Sequence, residues 1–299
     1  MKIYILHHDL EPAEEAMKEL FASKNIDTEL IDIRDAKLAC FKGSCLVLNR
    51  VYASVANRDY PSILKTLNLL KELEANNYYC LNSYKTSLFD YDKFESFKVM
   101  KDDGVYTPET FFIDNLDGVN SFLGSTAGSF GPPFIVKRNT GGRGKDVSKV
   151  NSLDGLYLDL EDKFNRAEKE GYRGGFIVQE FVKPERDCRI GIIDGSFAFS
   201  YKRTLISKSE DDSPWLCSVC SGSEEHEYDA NEDEIRTALK ASRSIGADFN
   251  ELDLIHTDKG PCVIENNPTP GYLISDTRDK ERMERFVEAI IKNLLNHSY

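Results

Sequence analysis

The stretch from Phe134 to Val147, F-I-V-K-R-N-T-G-G-R-G-K-D-V, limits the architecture more than any other part of the chain. It predicts a strand carrying Lys137, a loop loosened by Gly141, Gly142 and Gly144, and a second strand beginning at Asp146. Three glycines within four positions let successive backbone N–H groups approach phosphate oxygens, because no Cβ obstructs them and positive φ is not penalised. Lys137, Arg143 and Lys145 supply the positive charge for such an anion. A flexible hairpin tip with a basic flank is the plainer alternative. No G-x-x-x-x-G-K-[ST] occurs, and G-G-R-G lies between two strands with no helix start after it, so P-loop and dinucleotide folds are disfavoured.

A chain of 299 residues has room for two domains or a three-lobed enzyme. Its net charge of −13, with no Lys/Arg block, argues against a general nucleic-acid or anionic-membrane surface. A polyanion would need a local basic pocket. No apolar run approaches the roughly 20 residues of a bilayer span, and M-K-I-Y-I-L-H-H has too short an apolar core for a signal peptide, so the chain is expected in the cytoplasm. The seven cysteines are odd in number and scattered, unlike a secreted disulfide framework. Cys217 and Cys220 form a lone C-x-x-C with His226 nearby but no fourth ligand in view, so two ordinary thiols are expected there.

In chain order, strands at Lys2 to His7, Thr28 to Ile33, Cys45 to Arg50 and Tyr78 to Asn82 alternate with helices at Glu11 to Ser23 and Pro61 to Ala75. This argues a small parallel α/β sheet, whose strand ends make Asn49, Arg50 and Asn82 substrate-site candidates. A helix from Tyr91 to Lys101, a short strand after Pro108, the glycine-loop strands and a helix from Leu153 to Lys169 then form an α+β lobe. The strand Phe176 to Val182 carries Gln179 and Glu180 among apolar residues. An adenine ring needs an apolar slot, one backbone acceptor and one backbone N–H, and Glu180, Phe181 and Val182 are candidates for that edge.

Asp187 to Arg203 reads as a hairpin turning at Asp194-Gly195, with Arg189 and Arg203 on its arms as fork donors for a phosphate or carboxylate. Surface charge is the plainer reading of either arginine alone. After a helix at Glu232 to Ile245, the segment E-L-D-L-I-H-T-D-K-G-P-C-V-I-E-N-N-P-T-P-G predicts two strands joined at T-D-K-G. Glu265 and Asn267 lie two apart and share a face, and pairing brings Asp253 opposite them. Two carboxylates and an amide suit a hard cation such as Mg²⁺ holding phosphates.

Asp92-Lys93, Lys137 with its loop, Gln179 to Val182, Asp187-x-Arg189, Lys202-Arg203, Asp253, Glu265-x-Asn267 and Pro270-Gly271 follow one another in an order that resembles the ATP-grasp superfamily. Within it the chain looks like the branch of the ribosomal-protein glutamate ligase, the lysine-pathway carrier ligase and glutathione synthetase. The resemblance covers essentially the whole chain. It implies a mixed α/β and α+β, three-lobed ATP-grasp fold: an N-terminal parallel α/β lobe at 1–90, a central lobe at 91–180 and a C-terminal lobe at 181–299, with nucleotide between the last two.

The same resemblance implies ATP and two Mg²⁺ ions, Mn²⁺ being an alternative, at the following positions. Lys93, Lys137 and Lys202 would serve the nucleotide, with Gly141, Gly142 and Gly144 closing over its phosphates. Gln179 would belong to the nucleotide site, Glu180, Phe181 and Val182 would hold adenine, and Asp187 the ribose region. Asp253, Glu265 and Asn267 would hold metal. Arg203, with Arg189, would be catalytic by holding the acylphosphate or carboxylate. The reaction implied joins a small-molecule or peptide carboxylate to an amine through an acylphosphate, with release of ADP and phosphate. A homo-oligomer is left open. Relatives carry Arg-x-Asn and then Gly-Gly after the position of Arg203, whereas this chain has Pro214-Trp215-Leu216-Cys217 and Ser221-Gly222-Ser223. Two rivals stand beside this reading: a small-molecule kinase of the same fold and, permitted by that departure, an ATP-binding regulator without turnover.

Overall fold

The computed structural model describes residues 2–125, 130–207, 214–215 and 223–296. Strands β1 (Lys2–His7), β2 (Asp27–Asp32), β3 (Cys45–Asn49) and β4 (Tyr79–Leu81) pair in parallel in the order β2-β1-β3-β4, as the alternating pattern predicts. The period of two sorts their side chains between two cores. Ile3, Ile5, Leu46 and Leu48 meet Met17 and Phe21 of helix α1 (Pro12–Ser23), while Tyr4, Leu6 and Val47 meet Ile63, Leu70 and Leu73 of α2 (Tyr60–Ala75). Asp59 caps α2 by accepting the Ser62 N–H.

The helix expected from Tyr91 to Lys101 is α4 (Lys93–Asp102), and a helix the sequence reading missed, α3 (Tyr84–Tyr91), ends just before it. Asp92 divides them: its backbone is extended, and its carboxylate accepts the Glu95 N–H at 3.0 Å. The central sheet, β5 (Thr110–Ile113), β6 (Phe134–Arg138), β7 (Ser148–Val150) and β8 (Phe176–Glu180), is antiparallel in the order β5-β8-β6-β7. Two helices accompany it, α6 (Leu153–Lys169), found where predicted, and α5 (Leu116–Ser125), which the sequence reading missed. Strand β7 starts later than Asp146. That residue has φ 58°, and its carboxylate is held by Arg138 at 2.6 Å and Arg166 at 2.7 Å, so the turn continues past it.

The third sheet contains β9 (Arg186–Ile193), β10 (Ser196–Arg203), β11 (Glu225–Glu227), β12 (Asn250–Thr257) and β13 (Gly260–Asn267) in the order β11-β10-β9-β12-β13. Asp194 and Gly195 turn the β9–β10 hairpin with positive φ, as predicted. One face of this sheet packs Ile190, Ile192, Leu252 and Leu254 against Ala238 and Ala241 of α7 (Glu232–Ser244) and Phe97 and Met100 of α4. The alternate positions, Asp187, Arg189, Glu251 and Asp253, therefore share the other face. Helix α8 (Thr277–Asn296), also unforeseen, sends Met283, Phe286, Val287 and Ile290 into the core of α1. Among the described residues no helix is long and apolar enough to cross a membrane.

Candidate functional site

A cavity of about 970 Å³ is lined by the central sheet, the C-terminal sheet and, from the first 90 residues, Glu11, Tyr52 to Ser54 and Asp90. At its basic end, α4 presents Lys93 as its first residue. Asn139 fixes this helix start, accepting the Phe94 N–H at 2.8 Å and donating to Asp92 at 3.1 Å. The Lys93 ammonium donates to the Gly141 carbonyl at 2.7 Å and lies 3.5 Å from Glu265. Lys137 donates to the Ile264 carbonyl at 3.2 Å beside the Phe97 ring. Burial pushes the Lys137 ammonium down to about 8, against the pull of Glu265.

The glycine loop lies along this end, with Gly141, Gly142 and Gly144 in the cavity wall. Gly141 has φ 150°, and a Cβ there would come within 2.9 Å of Asn57 Oδ1. The loop is also joined to the N-terminal lobe: Asn57 donates to the Gly142 carbonyl at 3.1 Å, and Arg143 donates to Glu11 at 2.7 Å.

At the opposite wall, the β8 ladder ends at Glu180, so Phe181 and Val182 continue past it into the cavity lining with Ile135, Ile255 and Ile264. Gln179 also lines the cavity, but its amide donates to Thr110 at 2.7 Å, and the Glu180 N–H already donates to the Glu109 carbonyl at 2.9 Å. Trp215 stands 6.5 Å from Phe181, edge to face. Part of the atypical loop thus reaches the site, while Leu216 to Gly222, including Cys217 and Cys220, lies outside the described residues.

The floor is a chain of charges on the open face of the third sheet. Arg189 grips both Asp253 oxygens, at 2.8 and 3.2 Å, and Arg203 bonds Asp253 at 3.0 Å and Asp187 at 2.6 Å. Burial alone would raise the Asp253 carboxyl, but the two arginines outweigh it and hold it below its ordinary value. Burial prevails at Asp187, whose carboxyl is raised despite Arg203. Asp253 and Glu265 are register partners, and Asn267 pairs with Glu251, its amide donating to that residue's carbonyl at 3.1 Å.

Of the residues expected to hold nucleotide or metal, Asp187 and Lys202 do not reach the cavity wall. Asp187 is fully buried beneath Arg203, which donates to it at 2.6 Å. Lys202 registers with Cys188 and so shares the α7 face of its strand. The N-terminal candidates also act elsewhere. Asn49 donates to Ser87 and Tyr91, Arg50 donates to the Pro270 carbonyl, and Asn82 donates to Pro268 and Thr269, so they join the first sheet to the segment after β13. Sequence reasoning missed Asp90 and Arg282, both in the cavity wall and both more than nine-tenths buried. Nothing in D-Y-D-K or in an unassigned helix distinguishes such residues from surface charge.

The sequence model of the RimK-like ATP-grasp domain matches residues 90–290. The chain belongs to the RimK-like ATP-grasp family. A relative named probable alpha-L-glutamate ligase, from Xylella fastidiosa, is 28% identical over 208 residues, which are 68% of this chain and 64% of that protein. The match thus spans less than two thirds of that relative's length. Solved structures share the whole fold. A RimK domain ATP-grasp protein from Sphaerobacter thermophilus superposes with a TM-score of 0.67 at 15% identity, covering 97% of this chain and 98% of its own. The ATP-grasp ligase PsnB, solved with a precursor variant, Mg and ADP, gives 0.61 at 14% identity and 97% coverage of each chain.

ATP-grasp ligases work with ATP and Mg²⁺, and the residues here fit both. Two lysines and the glycine loop converge on one cavity end with an apolar slot beyond it. Glu265 has one lysine partner and a third of its side chain open, which suits a cation. Asp253 has both oxygens taken by arginines, and among the described residues no three His, Cys, Asp or Glu side chains are gathered for a metal.

Proposed function

We propose that the chain is an ATP-dependent carboxylate–amine ligase that activates a small-molecule or peptide carboxylate as an acylphosphate and passes it to an amine. The observation that carries this reading is the convergence of Lys93, Lys137 and Glu265 on one cavity with the glycine loop. Lys93, Lys137 and the loop would neutralise nucleotide phosphates, and Phe181 and Val182 would border the adenine. Mg²⁺ would sit at Glu265 and Asn267; Asp253 would join a two-ion site only by giving up an arginine. When bound, the metal would polarise the transferred phosphoryl group. Arg189 and Arg203 would hold the carboxylate substrate or its acylphosphate.

The division at residues 90 and 180 and a cytoplasmic location are kept as part of this reading. Incubation with ATP, Mg²⁺ and pooled amino acids, carboxylates and short peptides tests it. ADP with free phosphate is expected. ADP with a phosphorylated alcohol would make the chain a kinase, and nucleotide binding without turnover would make it a regulator.

A further inference from the structure

Asp90 is an acid beside a phosphate-binding region, where a carboxylate is out of place. It lies at the end of α3, lines the cavity and is 7% exposed. The Thr269 side chain lies beside it and favours its ionised form. Thr269 is held in turn by Asn82, which donates to its hydroxyl at 3.1 Å and to the Pro268 carbonyl at 2.7 Å. Asp90 Oδ2 is buried and has no hydrogen-bond partner. Burial raises the Asp90 carboxyl to about 7, so near neutral pH its unpartnered oxygen is satisfied either by a proton or by a cationic donor that keeps it ionised.

The neighbouring charges do not supply it. Lys93 is directed to Gly141 and Glu265, and Arg50 to Glu14, Tyr52 and Pro270; Arg50 Nη1 is also without a partner, and it acts on Asp90 through its charge without a hydrogen bond. A phosphate oxygen would be repelled, and no gathered metal-ligand set includes Asp90 among the described residues. An ammonium group meets the need, since it brings positive charge and three donors to a site with a carboxylate and a hydroxyl. The aromatic walls of Tyr52 and Tyr272 line the same cavity and suit the carbon skeleton of such a ligand.

We propose that Asp90 receives the ammonium group of the amine substrate, accepts the proton that the nitrogen must lose before it attacks the activated carboxylate, and so sets the amine's position and selectivity. This rests on the ligase reading, in which an amine must be held close to the activated carboxylate. Asp90→Asn keeps the shape and removes the charge. The probes are a pool of amino acids, dicarboxylates and short peptides, with and without hydroxylamine. Hydroxylamine is uncharged at neutral pH and captures an acylphosphate as a hydroxamate without needing an ammonium site.

Amine-dependent ADP release by Asp90→Asn should fall about tenfold or more, while hydroxamate formation stays within about twofold of wild type. Asp90→Glu, which keeps the charge, should recover part of the amine-dependent turnover, and it serves as the test variant if the Asn form does not fold. Equal loss in both assays, no loss in either, or no difference between the Asn and Glu variants would overturn the proposal. Absence of hydroxamate with the wild-type protein would overturn the ligase reading, and this inference with it.

Discussion

The Lys93 ammonium donates to the Gly141 carbonyl at 2.7 Å, joining the first turn of α4 to the glycine loop. The same nitrogen lies 3.5 Å from Glu265, so one side chain links helix, loop and β13. If phosphates bind here, Lys93 exchanges a neutral carbonyl for an anion and gains a charge-assisted contact. Lys93→Gln should weaken ATP binding about tenfold or more, with little change in melting temperature. Calorimetric titration checks this, and unchanged affinity would move the phosphates elsewhere.

Lys137 makes the same region sensitive to pH. Burial brings its ammonium down to about 8, so the free protein loses this charge as the pH rises through that value. A bound triphosphate favours the charged form. Affinity should therefore be full below about pH 8 and fall above it, where binding must first take up a proton. Lys137→Arg stays charged and should flatten the profile. Titrations from about pH 7 to about pH 9 decide it, and a pH-independent wild type would contradict it.

A buried ion pair holds the first lobe to the segment after β13. Arg50 Nε lies 3.2 Å from Glu14, both residues being at most 1% exposed, and Arg50 also donates to the Pro270 carbonyl at 2.8 Å. Tyr52 completes the group by donating to Glu14 at 2.6 Å. Glu14→Gln leaves a buried guanidinium unpaired and should cost about 3–5 kcal/mol of stability. Adding Arg50→Met should return part of that loss, because no isolated charge is then left. Denaturant melts of the single and double variants measure the coupling, and simple additivity would contradict it.

The strands and most helices were legible because their signals are local. Short apolar runs marked β1 and β3, Asp194-Gly195 marked the hairpin, and apolar spacing marked α1 and α2. The missed boundary at Asp92 turned on a side chain capping a helix start, which looks like any acidic residue in sequence. Lys93, Lys137, Arg189, Arg203, Asp253 and Glu265 were legible as a set and do gather in one cavity. Which of them are already committed to one another was not legible. Asp253 is saturated by Arg189 and Arg203, and Asp187 lies beneath Arg203, through strand register that no spacing rule reports. Asp90 was missed for a related reason: its isolation depends on burial among residues from three separate segments.

Glu265 and Asp253 face each other across β12 and β13, yet their substitutions should fail in different ways. Glu265 has one lysine partner and a partly open side chain, so Glu265→Gln removes the charge proposed to hold Mg²⁺ without leaving a buried arginine alone. Its melting temperature should stay close to wild type while Mg²⁺-dependent turnover falls about a hundredfold or more. Nucleotide binding without metal should change much less, because the lysines and the apolar slot remain. Asp253→Asn instead strips the shared counter-charge from Arg189 and Arg203, so it should lower stability by about 3 kcal/mol or more before any effect on metal is read. Thermal melts beside Mg²⁺ titrations of turnover separate the two. Near-normal turnover in Glu265→Gln, or a melting temperature unchanged in Asp253→Asn, would contradict the division of roles between these two carboxylates.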